Sequence, residues 1–100
     1  MREANIEQSL RLQLQKMGCL VYKFVSPGND GVPDRIVVTP TGETIYVELK
    51  TSRGNLRPEQ RVQIRRLERN HARVVVIRGK DEADDFIREL GYWERRGGRR

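Results

Sequence analysis

Apolar residues near the start of the chain recur at helical spacing. Ile6, Leu10, Leu14 and Met17 make one stripe over Glu3 to Met17, and Gly18 stands where such a helix would end. The run Leu20 to Val25 (LVYKFV) is rich in β-branched and aromatic residues, which predicts a strand. Ser26 to Pro33 holds two prolines, two glycines and Asn29-Asp30, so it reads as a loop. A short strand from Arg35 to Thr39, a reversal at Pro40-Thr41-Gly42 and a returning strand from Glu43 to Lys50 predict a β-hairpin. Thr51 to Leu56 is a polar loop. Pro58 suits the first turn of a helix that reaches about Asn70, with Ile64 and Leu67 inward. Arg73 to Arg78 (RVVVIR) predicts a strand covered on both faces. Asp81 to Leu90 closes the series as a helix with Ala83, Phe86, Ile87 and Leu90 on one face and Gly91 as its expected stop.

The order α-β-β-β-α-β-α predicts one α/β domain with a mixed sheet over residues 1–91. Residues 92–100, ending in Arg95-Arg96-Gly97-Gly98-Arg99-Arg100, read as a basic, disordered tail. A chain of 100 residues has room for one modest core. No apolar run approaches the roughly 20 residues of a membrane span, and the amino terminus lacks a basic-then-apolar signal pattern. The single cysteine, Cys19, excludes an internal disulfide and a cysteine-rich zinc site. The expectation is a cytoplasmic protein with no membrane partner. Its net charge of +6, carried largely on arginine, makes a polyanion the first partner to test.

Some polar residues sit where packing would favour apolar ones. On the strand Thr44 to Lys50, Ile45, Val47 and Leu49 share a core face, and Tyr46, Glu48 and Lys50 share the other. Glu48 and Lys50 would project together, about 6–7 Å apart at the backbone; an ordinary charge pair on a solvated face has the same spacing. Asp34 adds to the picture. The hairpin sets the start of one strand beside the end of the other, so Asp34 should approach Glu48 and Lys50. Two converging carboxylates repel unless a cation joins them, and hard oxygen ligands suit Mg²⁺. Glu3 and Glu7 lie within about 60° of Leu10 on the first helix, so Glu7 is aimed at the sheet, as a metal-site group or as a helix-start carboxylate. Gln60 lies on the stripe of Ile64, Leu67 and His71, where a buried amide needs partners. His71, the only histidine, falls at a helix end and suits a structural or capping role.

The run Gly31-Val32-Pro33-Asp34, then Glu48-Leu49-Lys50 and Gln60, with Glu7 in the first helix, resembles the VRR-NUC branch of the PD-(D/E)xK nuclease superfamily. The resemblance spans about Glu3 to Leu90. It implies a restriction-endonuclease-like core and cleavage of DNA phosphodiesters with Mg²⁺ or Mn²⁺ and no organic cofactor. Stand-alone members often act on branched DNA such as Holliday junctions. On this resemblance Asp34 and Glu48, with the Leu49 carbonyl, would hold the metal, and Glu7, or Glu3 in its place, would add a direct or water-mediated contact. Lys50 would orient or deprotonate the attacking water or stabilise the phosphorane, and Gln60 would position Lys50 or the water. Lys23, Arg53, Arg57, Arg61, Arg65 and Arg66 are candidates for phosphate contacts, with Arg57, Arg61 and Arg65 forming one ridge. No aromatic platform for single-stranded bases and no helix-turn-helix is expected. Paired cuts in a junction would need two sites, hence a homodimer. The rival readings are a flap or nicking nuclease and a non-catalytic basic DNA-binding domain.

Overall fold

Seven elements form in the expected order in the computed structural model, which describes residues 2–99. They are α1 (Glu3–Lys16), β1 (Leu20–Lys23), β2 (Arg35–Val38), β3 (Thr44–Lys50), α2 (Pro58–Arg69), β4 (Arg73–Arg78) and α3 (Gly79–Glu94). The sheet runs β1-β2-β3-β4. β2 pairs antiparallel with β1 on one side and with β3 on the other, and β4 joins β3 in parallel. That parallel step needs a crossover, which α2 supplies.

Side-chain alternation sorts the sheet into two unlike faces. Val37, Ile45, Val47, Leu49 and Ile77 point to one side and are buried under Ile6, Leu10 and Leu14 of α1 and Ala83, Phe86 and Leu90 of α3. Each large apolar side chain enclosed there contributes roughly 1.5–3 kcal/mol. α2 lies across the opposite side and packs on β4, so β4 is covered on both faces as expected although it is an edge strand. Among the described residues, no helix packs on that second side of β1, β2 and most of β3. Leu20 and Tyr22 are exposed there, and Ile36, Val38 and Tyr46 are only half-buried.

Two helix ends are closed by backbone geometry. Gly18, at φ 88°, ends α1, and the Cys19 N–H returns to the Leu14 carbonyl at 3.0 Å. His71 does the same for α2 at φ 65°, with the Ala72 N–H on the Leu67 carbonyl at 3.0 Å. Both are Schellman closures, and His71 holds a left-handed conformation that glycine adopts at less cost. The capping role expected for His71 is therefore a backbone one.

The carboxy-terminal boundary differs from the expectation. α3 does not stop at Gly91 but continues to Glu94, so Tyr92, Trp93 and Glu94 are helical rather than part of a disordered tail. The reason is tertiary. The Glu94 carboxylate accepts hydrogen bonds from the Thr41 N–H (3.2 Å) and hydroxyl (2.7 Å), tying the helix end to the hairpin tip. Turns follow, with the Gly98 N–H on the Trp93 carbonyl at 2.9 Å. Arg100, the end of the predicted tail, lies outside the described residues. Among the described residues no helix is long and apolar enough to cross a membrane.

Candidate active site

The hairpin register builds the site. Arg35 pairs with Val47, so one step further along places Asp34 opposite Glu48. Side-chain alternation directs Asp34, Glu48 and Lys50 to the same face, the one that α2 borders. Glu48 is 5% exposed, whereas the Asp34 side chain is 55% exposed at the mouth of the strand. The Lys50 Nζ lies 3.8 Å from Glu48 Oε2.

The loop before Asp34 is fixed by close packing. Gly31 (φ 89°) rests against the first turn of α2, where an added Cβ would lie 2.4 Å from the Glu59 carbonyl oxygen. Pro33 is fully buried. Together they leave the loop one seat and deliver Asp34 to the strand mouth.

Electrostatics mark Glu48 as the unusual group. Its pKa is raised to about 7, first by burial and next by the Asp34 charge; Lys50 opposes the rise, Glu3 adds to it and Arg57 opposes it. Asp34 also has a basic neighbour, with Arg35 Nη1 3.5 Å from its Oδ2. A divalent cation would favour the charged form of the buried Glu48, and two carboxylates beside a backbone carbonyl are donors that suit a hard cation completed by water and phosphate oxygens. No cluster of three or more His, Cys, Asp or Glu side chains occurs among the described residues. The residues present fit a two-carboxylate site, not an all-protein cage.

The other candidates fall into different places. Glu7 is held by Arg35 Nε at 3.3 Å and by Arg11 Nε at 3.5 Å, so its carboxylate is already partnered. Glu3 is the acid of α1 whose charge reaches Glu48. Both line a cleft of about 310 Å³ with Ala4, Asp34, Arg35 and Leu49. Gln60 is buried as expected, but its Oε1 accepts the Arg57 N–H at 2.9 Å, so its oxygen caps its own helix. Arg53, Arg57, Arg61 and Arg65 are exposed, and Arg57 also pairs with Glu59 at 3.1 Å. Lys23 pairs with Arg35 in the sheet and so shares its face, opposite to Glu48 and Lys50.

The sequence reading missed the aromatic residues beside the carboxylates. Tyr22, Ile36 and Tyr46 form one cross-strand row. In the next row the Phe24 N–H donates to the Asp34 carbonyl at 2.8 Å. The Phe24 and Tyr46 rings meet edge-on, 5.8 Å between centroids. The alternation Tyr22–Lys23–Phe24 was the available signal, but it cannot tell an open sheet face from a covered one.

Comparison with known proteins agrees with this arrangement. The VRR-NUC domain family matches residues 3–81. A protein of Acyrthosiphon pisum secondary endosymbiont phage 1, named "Putative nuclease p44", is 41% identical over 80 residues, covering 80% of this chain and 86% of that protein. A solved structure of a VRR-NUC domain superposes with TM-score 0.81 at 26% identity, covering 86% of this chain and 94% of the other. A second, a VRR-NUC domain protein, shares the fold at TM-score 0.68 and 16% identity, covering 88% and 86%. With the family match taking in both site carboxylates, Lys50 and Gln60, the chain belongs to the VRR-NUC domain family.

Proposed function

We propose that this VRR-NUC domain is a nuclease that hydrolyses DNA phosphodiesters with Mg²⁺ or Mn²⁺ and favours branched DNA such as a four-way junction, working as a homodimer. The observation that carries the reading is the buried Glu48, set opposite Asp34 with Lys50 beside it and a pKa raised to about 7. Such a buried carboxylate would repel phosphate unless a cation accompanies it.

Asp34 and Glu48, with the Leu49 carbonyl, would hold the cation, and Glu3 would reach it through water. Bound there, the ion would polarise the phosphate, lower the pKa of a coordinated water and offset developing charge. Lys50 would hold the attacking water or the phosphorane oxygen from the same strand. The Arg57 charge is felt at Glu48. Arg61 and Arg65 follow Arg57 at successive turns of α2, a spacing suited to consecutive phosphates of one strand. Gln60 would act by fixing the start of that helix.

A cleavage panel of junction, flap, duplex and single-stranded DNA in Mn²⁺ tests the reading. Asp34→Ala and Glu48→Ala should abolish cleavage while keeping or tightening metal-free DNA binding. Absence of cleavage by the unmodified protein on every DNA form would overturn it. Sedimentation of a monomer alone would remove the paired-cut homodimer.

A further inference from the structure

Beyond the carboxylates, the same sheet face continues as an apolar surface on which, among the described residues, no helix packs. Its rows are set by the register. Phe24, Asp34 and Glu48 extend one row, and Tyr22, Ile36 and Tyr46 form the next, one pleat repeat or about 6.7 Å away. Tyr22 is 56% exposed and Leu20, in the following row, 50% exposed. Arg57, which opens α2, is the arginine whose charge reaches Glu48 at the end of the first row, and Arg61 and Arg65 follow it on the same helix.

We propose that the face formed by Tyr22, Phe24 and Tyr46 is a stacking platform for unpaired DNA bases next to the phosphate presented to Asp34 and Glu48. This rests on the nuclease reading and deepens it by naming what the site recognises. Three features support the assignment. Aromatic rings offer every base a π surface without reading its edge, which suits an enzyme selective for shape. Basic charge beside an aromatic floor is the combination that holds single strands, and the Arg57 charge is felt at Glu48, which ends the row that starts at Phe24. The platform also touches the site through the chain itself, since Phe24 bonds the Asp34 backbone and its ring meets Tyr46. A fully paired duplex keeps its bases stacked on one another and leaves this floor unused. A branch point, flap or extension presents unpaired bases that can occupy it, so the platform links unpairing to placement of the phosphate.

The test uses the whole chain in EDTA, which withholds divalent cations, with a duplex bearing a single-stranded extension that contains 2-aminopurine. Stacking should quench the fluorescence on binding. Tyr22→Leu keeps the apolar cover of an exposed position but removes the ring; it should lose much of the quench and bind the extended probe roughly 5- to 150-fold more weakly. Tyr22→Phe should retain both, and binding of a fully paired duplex should change little in either variant. Equal weakening on both probes, or no change on the extended one, would overturn the proposal. So would a drop in sedimenting mass for Tyr22→Leu, which would make the face a contact between two copies. The nuclease reading fails separately. If the unmodified protein quenches the probe but cuts no DNA with Mn²⁺, the platform stands without the chemistry; if it cuts extended and paired DNA alike and Tyr22→Leu alters neither, the chemistry stands without the platform.

Discussion

Gly31 and Glu59 come so close that the α-carbon of one leaves no room for a side chain beside the carbonyl of the other: an added Cβ would lie 2.4 Å from that oxygen. The glycine also has φ 89°, so a substitution there is opposed by both backbone conformation and space. Gly31→Ala should destabilise the protein by about 2–3 kcal/mol and reduce cleavage further than stability alone would, because the loop it seats carries Asp34. Gly28→Ala is the control. It shares a positive φ, 82°, but meets nothing within 4 Å. Thermal unfolding of the two variants should separate them by several degrees.

Glu48 makes stability depend on pH. Its folded pKa, about 7, lies above the ordinary 4.5, so the folded state binds the proton more tightly. The associated stability is present in full below about pH 4.5 and is lost as pH rises through 7, a difference of about 3 kcal/mol. Glu48→Gln should flatten that slope and be more stable than the unmodified protein in EDTA at pH 8. Mg²⁺ should raise the melting temperature of the unmodified protein at that pH and leave the variant nearly unchanged. Chemical denaturation across pH 4 to 8, with and without Mg²⁺, measures both effects.

The α2 arginines should act through phosphate. Arg57→Ala, Arg61→Ala and Arg65→Ala should each weaken DNA binding across all sequences, and each lost contact should reduce the slope of log affinity against log salt by about 0.9 on duplex DNA. Lys23→Ala, on the opposite sheet face, should leave that slope unchanged. Titrations at several salt concentrations distinguish the two groups.

His71 holds a left-handed backbone at the end of α2 (φ 65°) with an exposed side chain. His71→Gly should relieve that conformation and stabilise the protein by about 1 kcal/mol without altering cleavage. Thermal melts and a single-substrate assay suffice.

How much of this could be read beforehand depended on the range of the interaction concerned. Gly18, Pro58 and the Pro40-Thr41-Gly42 reversal act locally, and each marks the boundary it was expected to mark. Asp34 reaches Glu48 through a hairpin register, which is close to local. Gly91 misled because helix ends are decided by more than glycine: Glu94 gains Thr41 as a partner only after the sheet and α3 have docked. The place of Glu7 was hidden for a similar reason. Helical periodicity puts Glu3 and Glu7 on nearly the same flank, and only the position of Arg35 across the sheet decides which is neutralised. The aromatic face stayed invisible because alternation shows that a side exists, not whether a helix lies over it. That α2 packs on β4 and leaves β1 and β2 open follows from the crossover, a property of the whole topology.

Both site carboxylates and the lysine belong to a single hairpin, which has a consequence for folding order. Short-range strand pairing closes early because it fixes few residues before contacts form. If the hairpin pairs first, Asp34 and Glu48 would meet while the chain is still assembling, and their repulsion would oppose the rate-limiting step as well as the finished protein. A cation binding there would speed folding more than it slows unfolding, so the site's chemistry would be recorded in the refolding limb of a denaturant chevron.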